Sequence, residues 1–535
     1  MCSRCRRTIC RKRSYRRPLL QESGWDKVKK SSFVKNAAIL TVTSLILRTV
    51  GIFFRIYMAG KLGAEGMGLY QLVFSIYVLA ATFASAGICT AVTRLVTDEL
   101  ACGCPATVRR ILRRAMLLSV CIGLASAAAL ALGADTIAAV WLKDTRAVPS
   151  LRVLGASLPF MGATSCLRGY FVARRRVGVP SRAQLLEQAV RIGVIVAAMD
   201  RLLPLGLAYG CLAILLGDTL AEIASCLYQT VGYAIDRRRL AAAPCSATGS
   251  RHILRRLLAI AVPITAGRYL NTALRTIENV LVPAGLATFC LSREKALASF
   301  GALKGMAMPL LFFPASFLTA LSTLLIPEIS EASVLHQTRR VERAVNHTLH
   351  LTLTASILLG GLFTLFAYPL GDLFYHSAEV GFLLRVLAPL MPVMYVESVV
   401  DGILKGLNQQ ASSLKYSVAD SVLRIALILW IVPHRGMEGF LFIMVLSNLF
   451  TAGLNLHRLL TVTGLPMKWG QWVVKPALAV GTAGGLSWWV TQWPAVSRLP
   501  TLPVTLIGGG IAVVLYAALL PLLGCLRRDD LRLRA

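Results

Sequence analysis

The sequence predicts an all-α polytopic membrane protein of about fourteen transmembrane helices, with two parallel six-helix lobes and two extra C-terminal helices. Three observations lead to this fold class: an apolar composition, a regular succession of apolar stretches and an internal repeat. Of the 535 residues, 56% are hydrophobic and only 15% are charged. A soluble domain has roughly a quarter of its residues charged, so lipid is the expected solvent along most of the chain.

Each apolar stretch is long enough to cross a hydrocarbon core of about 30 Å as a helix. The stretches are continuous and do not alternate every second residue, which favours helices over the strands of a membrane barrel. The predicted segments 1 to 14 lie at 36–58, 69–96, 112–133, 148–172, 182–200, 204–233, 253–284, 300–326, 346–369, 384–406, 414–433, 437–458, 475–492 and 501–523.

Basic residues mark every second connection between these segments. They cluster before segment 1 and after segments 2, 4, 6, 8 and 14, whereas the intervening connections are short and nearly balanced in charge. Because cytoplasmic loops are enriched in Lys and Arg, both termini are predicted to be cytoplasmic, and Trp488, Trp489 and Trp493 reach the outer interface. The net charge of +32 then reflects topology, and no nucleic-acid partner is expected.

An internal repeat supports the two-lobe arrangement. Residues 151–192 align without a gap on 384–425, at a constant offset of 233, with ten of 42 positions identical. Segments 4 and 5 therefore repeat as segments 10 and 11, and the copies run in the same direction because six segments separate them. The predicted units are a basic tail at 1–30, an N-lobe at 31–235, a cytoplasmic linker at 236–251, a C-lobe at 252–460, and segments 13 and 14 with the C-terminus at 461–535.

The N-terminal region has its own composition. Residues 1–25 contain no apolar run, so they are not expected to be a signal peptide, and a basic segment this poor in apolar residues is expected to be disordered. A physiological start at Val28 and a genuine cytoplasmic tail are both open. The 13 cysteines form no disulfide framework. Since Cys2, Cys5 and Cys10 have no histidine nearby, no metal site or cofactor is expected.

Charged side chains inside the predicted segments need a specific role, since each costs on the order of 3 kcal/mol at the bilayer centre. Four of them form two pairs spaced four residues apart, which places each pair on one helix face. We interpret both pairs as mainly structural. They are Glu187 with Arg191, and their repeat equivalents Asp420 with Arg424.

Four arginines are candidates for binding substrate. Arg48 and Arg55 lie seven residues apart in segment 1, and Arg268 and Arg275 have the same spacing in segment 7. One interpretation is a cationic cavity that holds a phosphate or pyrophosphate, to which Lys304 contributes. The alternative is charge balance across helices. The carboxylates available for that balance, or for coupling to an ion, are Asp218, Glu222, Glu278, Glu397 and Asp401.

Several separated motifs resemble the stage V sporulation protein B family, within the superfamily of multidrug, oligosaccharidyl-lipid and polysaccharide flippases, alongside lipid II flippases. They are Lys35-Asn-Ala-Ala-Ile-Leu-Thr, Leu62-Gly-Ala-Glu-Gly-Met-Gly-Leu-Tyr-Gln71, Gly267-Arg-Tyr-Leu-Asn-Thr-Ala-Leu-Arg-Thr-Ile-Glu-Asn-Val-Leu-Val-Pro283 and Leu325-Ile-Pro-Glu-Ile-Ser-Glu-Ala332. The resemblance implies an undecaprenyl-pyrophosphate-linked sugar as substrate, a bacterial plasma membrane, and a groove for the lipid tail formed with segments 13 and 14.

The expected function is therefore a flippase that moves a lipid-linked anionic sugar to the outer leaflet by alternating access, with Na⁺ or H⁺ as candidate coupling ions. A cation-coupled multidrug exporter of the same fold is the first alternative, and the unbalanced arginines of segment 1 count against it. A membrane glycosyltransferase or polymerase is the second. Such an enzyme needs catalytic carboxylates in a sizeable loop, whereas no predicted outer loop reaches twenty residues, so no enzymatic activity is expected.

Overall fold

Helices make up the regular structure of the N-terminal half. The computed structural model describes residues 25–85, 87–101, 105–239, 252–335, 337–466 and 469–525. Short helical turns at Ala134–Thr136, Ile137–Trp141, Thr145–Ala147 and Leu203–Leu205 connect the longer helices. The long helices of this half are α1 (Trp25–Ser85), α2 (Ile88–Ala101), α3 (Pro105–Leu132), α4 (Val148–Gly155), α5 (Leu158–Ala173), α6 (Gly178–Leu202) and α7 (Leu207–Arg239).

The C-terminal half is built in the same way. Short turns at Ala302–Ala307, Ala388–Leu390, Gly470–Val474 and Pro494–Ser497 join or precede its helices. The longer helices are α8 (Ile253–Cys290), α9 (Arg293–Gly301), α10 (Met308–Val334), α11 (Thr338–Leu365), α12 (Ala367–Tyr375), α13 (Ala378–Leu387), α14 (Met391–Gly406), α15 (Gln410–Thr463), α16 (Lys475–Thr491) and α17 (Thr501–Leu522). The predicted all-α class is confirmed.

The count of fourteen crossings stays a prediction. Among the described residues, nine helical stretches are long and apolar enough to cross a membrane. Two of them, Thr41–Ala101 and Gln410–Thr463, hold two predicted segments each. Segments 4, 5 and 13 fall outside the nine because segment 4 is broken, segment 5 carries several charges and segment 13 is short. Residues 1–24 and 240–251, with the expectations for the tail and most of the linker, lie outside the described residues.

Two predicted loops are nearly continuous helix. Segments 1 and 2 join at Gly63 (φ 70°, ψ −177°), and segments 11 and 12 join at Gly436 (φ 60°, ψ −140°). Backbone angles of this kind are readily available only to glycine. A single glycine therefore reverses or bends the chain at each of these two connections.

The sequence repeat is visible as matching helix ends. Shifting α5 (Leu158–Ala173) by 233 residues gives 391–406, and these are the bounds of α14 (Met391–Gly406). The breaks that precede the two helices also correspond. Pro159 and Pro392 lie in the first turn of α5 and α14, where a missing amide hydrogen costs no helical bond. Each of the two prolines thus marks the start of a helix.

The largest hydrophobic cluster joins the two halves at the predicted outer end of the molecule, where it runs from Phe54 in α1 to Met444 in α15. Two smaller clusters lie toward the opposite end. The one around Ile111 of α3 also includes Leu257 of α8, so the halves touch there as well, and the one around Ile403 of α14 lies within the C-terminal half. The contact between the halves is therefore most extensive at the outer end.

Candidate functional site

A cavity lies between the two halves, where α8 faces the second part of α1. It has a volume of about 250 Å³, with Arg268 and Arg275 on one wall and Thr82 and Ser85 on the other. The two arginines point the same way because seven residues make almost two helical turns. Thr82 Oγ1 lies 3.5 Å from Thr272 Oγ1, so the halves touch at the edge of the cavity.

The two cavity arginines are exposed and have no direct carboxylate partner among the described residues. Within the described ranges, neither guanidinium forms an ion pair or a hydrogen bond. Glu278 lies one turn beyond Arg275 but contacts other cations: its carboxylate lies 3.2 Å from Arg424 and 3.6 Å from Lys304. Its charge therefore offsets those two residues more directly than it offsets Arg275. The cavity keeps a net positive wall.

The arginines of segment 1 lie elsewhere. Arg48 is exposed on α1, and Arg55 is half-buried. Arg55 interacts electrostatically with Asp218, Tyr70 and Tyr375. The structure thus brings Arg268 and Arg275 together at one cavity, whereas Arg48 and Arg55 are not among the residues that line it. A substrate-binding role for all four arginines stays a prediction.

In the N-terminal half, Arg191 is the centre of a buried charge cluster. Its guanidinium lies 2.9 Å from Glu187 on its own helix and 2.6 Å from Asp218 on α7. Gln188 accepts a further hydrogen bond at 2.9 Å. The spacing of Glu187 and Arg191 identified half of this cluster. The partner on α7 depends on how α6 and α7 pack, so spacing along one helix did not reveal it.

The C-terminal half repeats this arrangement with different partners. Arg424 lies 2.5 Å from Asp420 and also contacts Ser447 of α15 and Glu278 of α8. The ammonium group of Lys304 completes the cluster through Glu278. Lys304 is therefore part of a charge-balanced group and is not a residue of the cavity wall.

The other carboxylates occupy three kinds of environment. Asp401 pairs with Lys405 and accepts a hydrogen bond from Ser413. Glu397 is half-buried and interacts electrostatically with Arg275. Glu222 is 8% exposed, and its Oε1 has no hydrogen-bond partner. In this conformation the ion pairs of Asp218 and Asp401 are with Arg191 and Lys405, and not with the four candidate arginines.

One further arginine was not among the site residues predicted from the sequence. Arg168 of α5 is half-buried, and its Nε is enclosed without a hydrogen-bond partner. It forms no ion pair within the described part of the chain. Segment 4 contains no acidic residue between Leu151 and Ala173, and this absence is the signal that would have singled Arg168 out.

An apolar groove of about 800 Å³ runs through the C-terminal half. Small residues give it depth, since Gly360 and Gly361 of α11 face Gly481, Gly484 and Gly485 of α16. Segment 13 therefore contributes to the groove, as the resemblance implied. Segment 14 does not line it: α17 packs against α16, where Ser487 Oγ donates to Gly508 O at 2.6 Å.

Two family profiles match the chain. The first is described as polysaccharide biosynthesis protein and covers residues 33–333, more than half of the 535 residues. The second, MatE, covers residues 291–430. The two matches overlap at residues 291–333, which include α9 and most of α10.

Curated relatives come from Bacillus subtilis (strain 168). Stage V sporulation protein B is 25% identical over 511 residues, which cover 94% of this chain and 98% of that protein. Lipid II flippase MurJ is 23% identical over 442 residues, which cover 76% of this chain and 79% of that protein. The resemblance found in the motifs is confirmed over almost the whole length.

Solved structures share the fold at low identity. Lipid II flippase MurJ in an inward closed conformation has a TM-score of 0.69 at 13% identity, covering 92% of this chain and 100% of that chain. An inward-facing multidrug resistance MATE family transporter has a TM-score of 0.63 at 16% identity, covering 78% and 94%. Both likenesses concern the fold, and they confirm a multi-pass transporter architecture.

Proposed function

We propose that this chain, which belongs to the polysaccharide biosynthesis protein family, is a flippase for an undecaprenyl-pyrophosphate-linked sugar in a bacterial plasma membrane. Its family and fold make it a multi-pass membrane transporter of the flippase and exporter superfamily. The observation that supports the substrate class is the pair of uncompensated guanidinium groups, Arg268 and Arg275, in a cavity between the halves.

The chemistry of the cavity favours a phosphate-bearing ligand. An uncompensated arginine inside a membrane protein is costly, and an anion that binds there removes the cost. A guanidinium group donates two parallel hydrogen bonds to a phosphate, with a geometry that an ammonium group lacks. Asn271 and Thr272 line the same wall and add neutral hydrogen-bonding groups. A pyrophosphate fits this combination of charge and hydrogen bonding.

The apolar groove is a candidate binding site for the lipid tail. It is lined by hydrophobic and glycine residues, which favours a hydrocarbon chain over a sugar. Val396 of α14 lines the groove, and the next residue, Glu397, interacts electrostatically with Arg275. A single helix thus separates the groove from the surroundings of the cationic cavity. A ligand with an anionic head and a long apolar tail can use both.

Transport is proposed to proceed by alternating access. The halves are closed at the predicted outer end, so the head group enters from the cytoplasmic side, and rocking of the halves then opens the outer end. An inside-negative potential favours outward movement of an anion by about 2.3 kcal/mol per charge per 100 mV. Both termini are proposed to be cytoplasmic, and the proposal includes no catalytic step.

A cation-coupled multidrug exporter is the second candidate. It is favoured by the buried carboxylates of α7, where Asp218 Oδ2 and Glu222 Oε1 have no hydrogen-bond partner. Such groups are candidates for binding H⁺ or Na⁺ during the transport cycle. Coupling through them is equally compatible with a flippase, so these residues do not decide between the two substrates.

The deciding experiment compares both activities in the same preparation. Proteoliposomes containing the full-length protein are loaded with fluorescent lipid II, and appearance of the label in the opposite leaflet is followed by quenching. A cationic drug-efflux assay is run on the same vesicles. The proposal expects protein-dependent flipping without efflux. Efflux without flipping would establish the exporter instead.

A further inference from the structure

We propose that Arg168 is a third anion-binding arginine, contributed by the N-terminal half, which takes the second phosphate of a diphosphate head group. This inference rests on the proposed function and adds to it a residue and a ligand class. Arg268 and Arg275 then hold one phosphate from the C-terminal half, while Arg168 reaches the other. The bound diphosphate bridges the two halves.

The position of Arg168 follows from the packing of three helices around Cys89. On one side, α5 lies against α2 at very short range: a Cβ on Gly169 would be 2.6 Å from Cys89 O, and Thr93 Oγ1 donates to Gly169 O at 3.1 Å. On the other side, a Cβ on Gly87 would be 2.7 Å from Thr265 Oγ1 of α8. The start of α2 is therefore packed between α5 and α8.

Arg168 on α5 and Arg268 on α8 both interact with Cys89 at the start of α2. The thiol of Cys89 interacts electrostatically with both guanidinium groups. Cys89 lies just beyond Ser85, which lines the cavity. Arg168 and Arg268 therefore lie on helices that contact the start of α2 from the two halves, and an anion near Cys89 lies within the field of arginines from both halves.

The fold itself does not require an arginine at this position. Glu222 interacts electrostatically with Arg168 but forms no ion pair with it among the described residues. At the repeat offset of 233, position 168 corresponds to Asp401, whose charge is balanced by Lys405. The C-terminal half thus compensates its charge at this position, and the N-terminal half does not.

A third guanidinium group makes the site bind diphosphates more tightly than monophosphates. Two neighbouring arginines satisfy one phosphate by bidentate hydrogen bonds. The second phosphate of a diphosphate carries further charge and acceptor oxygens, and Arg168 is the group in position to meet them. Because the ligand then contacts both halves, it favours the conformation in which they approach each other.

The first test measures binding to the full-length protein in detergent, with inorganic pyrophosphate, inorganic phosphate and a polyprenyl diphosphate as probes. Arg168→Gln is expected to weaken pyrophosphate and polyprenyl diphosphate at least tenfold and to leave phosphate unchanged. Arg182→Gln is the matched control, since this arginine is exposed at the start of α6 and donates to Gly178 O. Unchanged diphosphate affinity in Arg168→Gln would overturn the inference.

A second test distinguishes ligand binding from charge balance. If Arg168 only neutralises Glu222, the double variant Arg168→Gln/Glu222→Gln recovers diphosphate affinity; the inference predicts no recovery. The proposed function fails separately, if the wild-type protein binds none of the three probes.

A third measurement uses the unaltered protein, so it does not depend on the folding of a variant. Bound pyrophosphate should slow alkylation of Cys89 several-fold in site-resolved mass spectrometry. Exposed Cys121 on α3 serves as the internal control and should be unaffected. Pyrophosphate that binds without protecting Cys89 would contradict the placement between the arginines.

Discussion

At the scale of single residues, the membrane-embedded charges fall into compensated and uncompensated groups. Arg191 and Arg424 each contact two carboxylates. Arg268 and Arg275 contact none within the described ranges. The carboxylate partners of Arg191 and Arg424 explain how segments 5 and 11 tolerate charge. Arg268 and Arg275 have no such partners and need an anionic ligand, so the binding site is assigned to them.

Glu278 provides a stability test of the compensated group. Glu278→Gln leaves Arg424 and Lys304 with less negative charge at a site where Glu278 is only 4% exposed. Removing one partner of a buried ion pair costs about 3 kcal/mol or more, so the thermal unfolding temperature in detergent should fall by several degrees. The matched control is Asp135→Asn, which removes the exposed pair with Arg152, and such pairs contribute about 0–1 kcal/mol. Equal unfolding temperatures would contradict this account.

Spacing along one helix predicted a part of these charge groups. The seven-residue separation of Arg268 and Arg275 fixes that both lie on one face of α8, and the four-residue separation fixes the pair of Asp420 and Arg424. Contacts across helices, such as Arg191 with Asp218, depend on packing that local spacing does not encode. Arg168 was missed because it has no partner at helical spacing to draw attention to it.

At the scale of helices, glycines allow the halves to close at the predicted outer end. A Cβ on Gly301 of α9 would overlap the backbone of Ala64 and Gly68 of α1, and one on Gly68 would overlap Leu297. Polar contacts surround this crossing: Arg146 pairs with Glu65 at 2.8 Å, and Arg293 donates to Leu142 O. The seal therefore depends on direct backbone contact between the halves.

Gly301→Ala is expected to open this seal. The added methyl group has no room in the closed state, so the protein should shift toward the outward-open state and flip more slowly. In a cysteine-free background, a Leu69→Cys reporter in the buried seal should react several-fold faster with a membrane-impermeant thiol reagent. Gly509→Ala is the control, since no neighbouring heavy atom lies within 4 Å of its added Cβ. Unchanged reporter labelling would show that the seal tolerates the methyl group.

Some details of the helices could be predicted from the sequence, and others could not. The repeat predicted corresponding helices, and α5 and α14 have matching ends. The connection at Gly63 was predicted too long, at 59–68, because a single residue with positive φ can redirect a helix without a run of polar residues. The short predicted connection at 434–436 contains the observed break at Gly436. Tertiary contacts, here the packing of α9 against α1, hold these short connections in place.

At the scale of the whole molecule, the halves share their largest hydrophobic cluster at one end, while a smaller cluster joins α2 to α8 at the other. The end with the larger contact is the closed side of the transporter. If the basic connections are cytoplasmic, the closed side is the outer one. Trp488, Trp489 and Trp493 are about half exposed, and the predicted topology places them at the outer end as well.

Cysteine-accessibility labelling tests the orientation. Single cysteines in the 234–252 connection should be protected from a membrane-impermeant reagent in intact cells, and single cysteines at 370–382 should react. Permeabilised cells provide the control, because both positions should then be labelled. Labelling of the 234–252 connection in intact cells would reverse the predicted topology.

The most direct measurement of the central claim is the flipping rate of Arg268→Ala in proteoliposomes with fluorescent lipid II. The matched control is Arg152→Ala, which removes an exposed arginine that pairs with Asp135 far from the cavity. If Arg268 holds the diphosphate, its loss reduces flipping at least tenfold while the protein remains inserted and folded, and the control flips at the wild-type rate. Wild-type flipping by Arg268→Ala would contradict the assignment of this cavity as the substrate site.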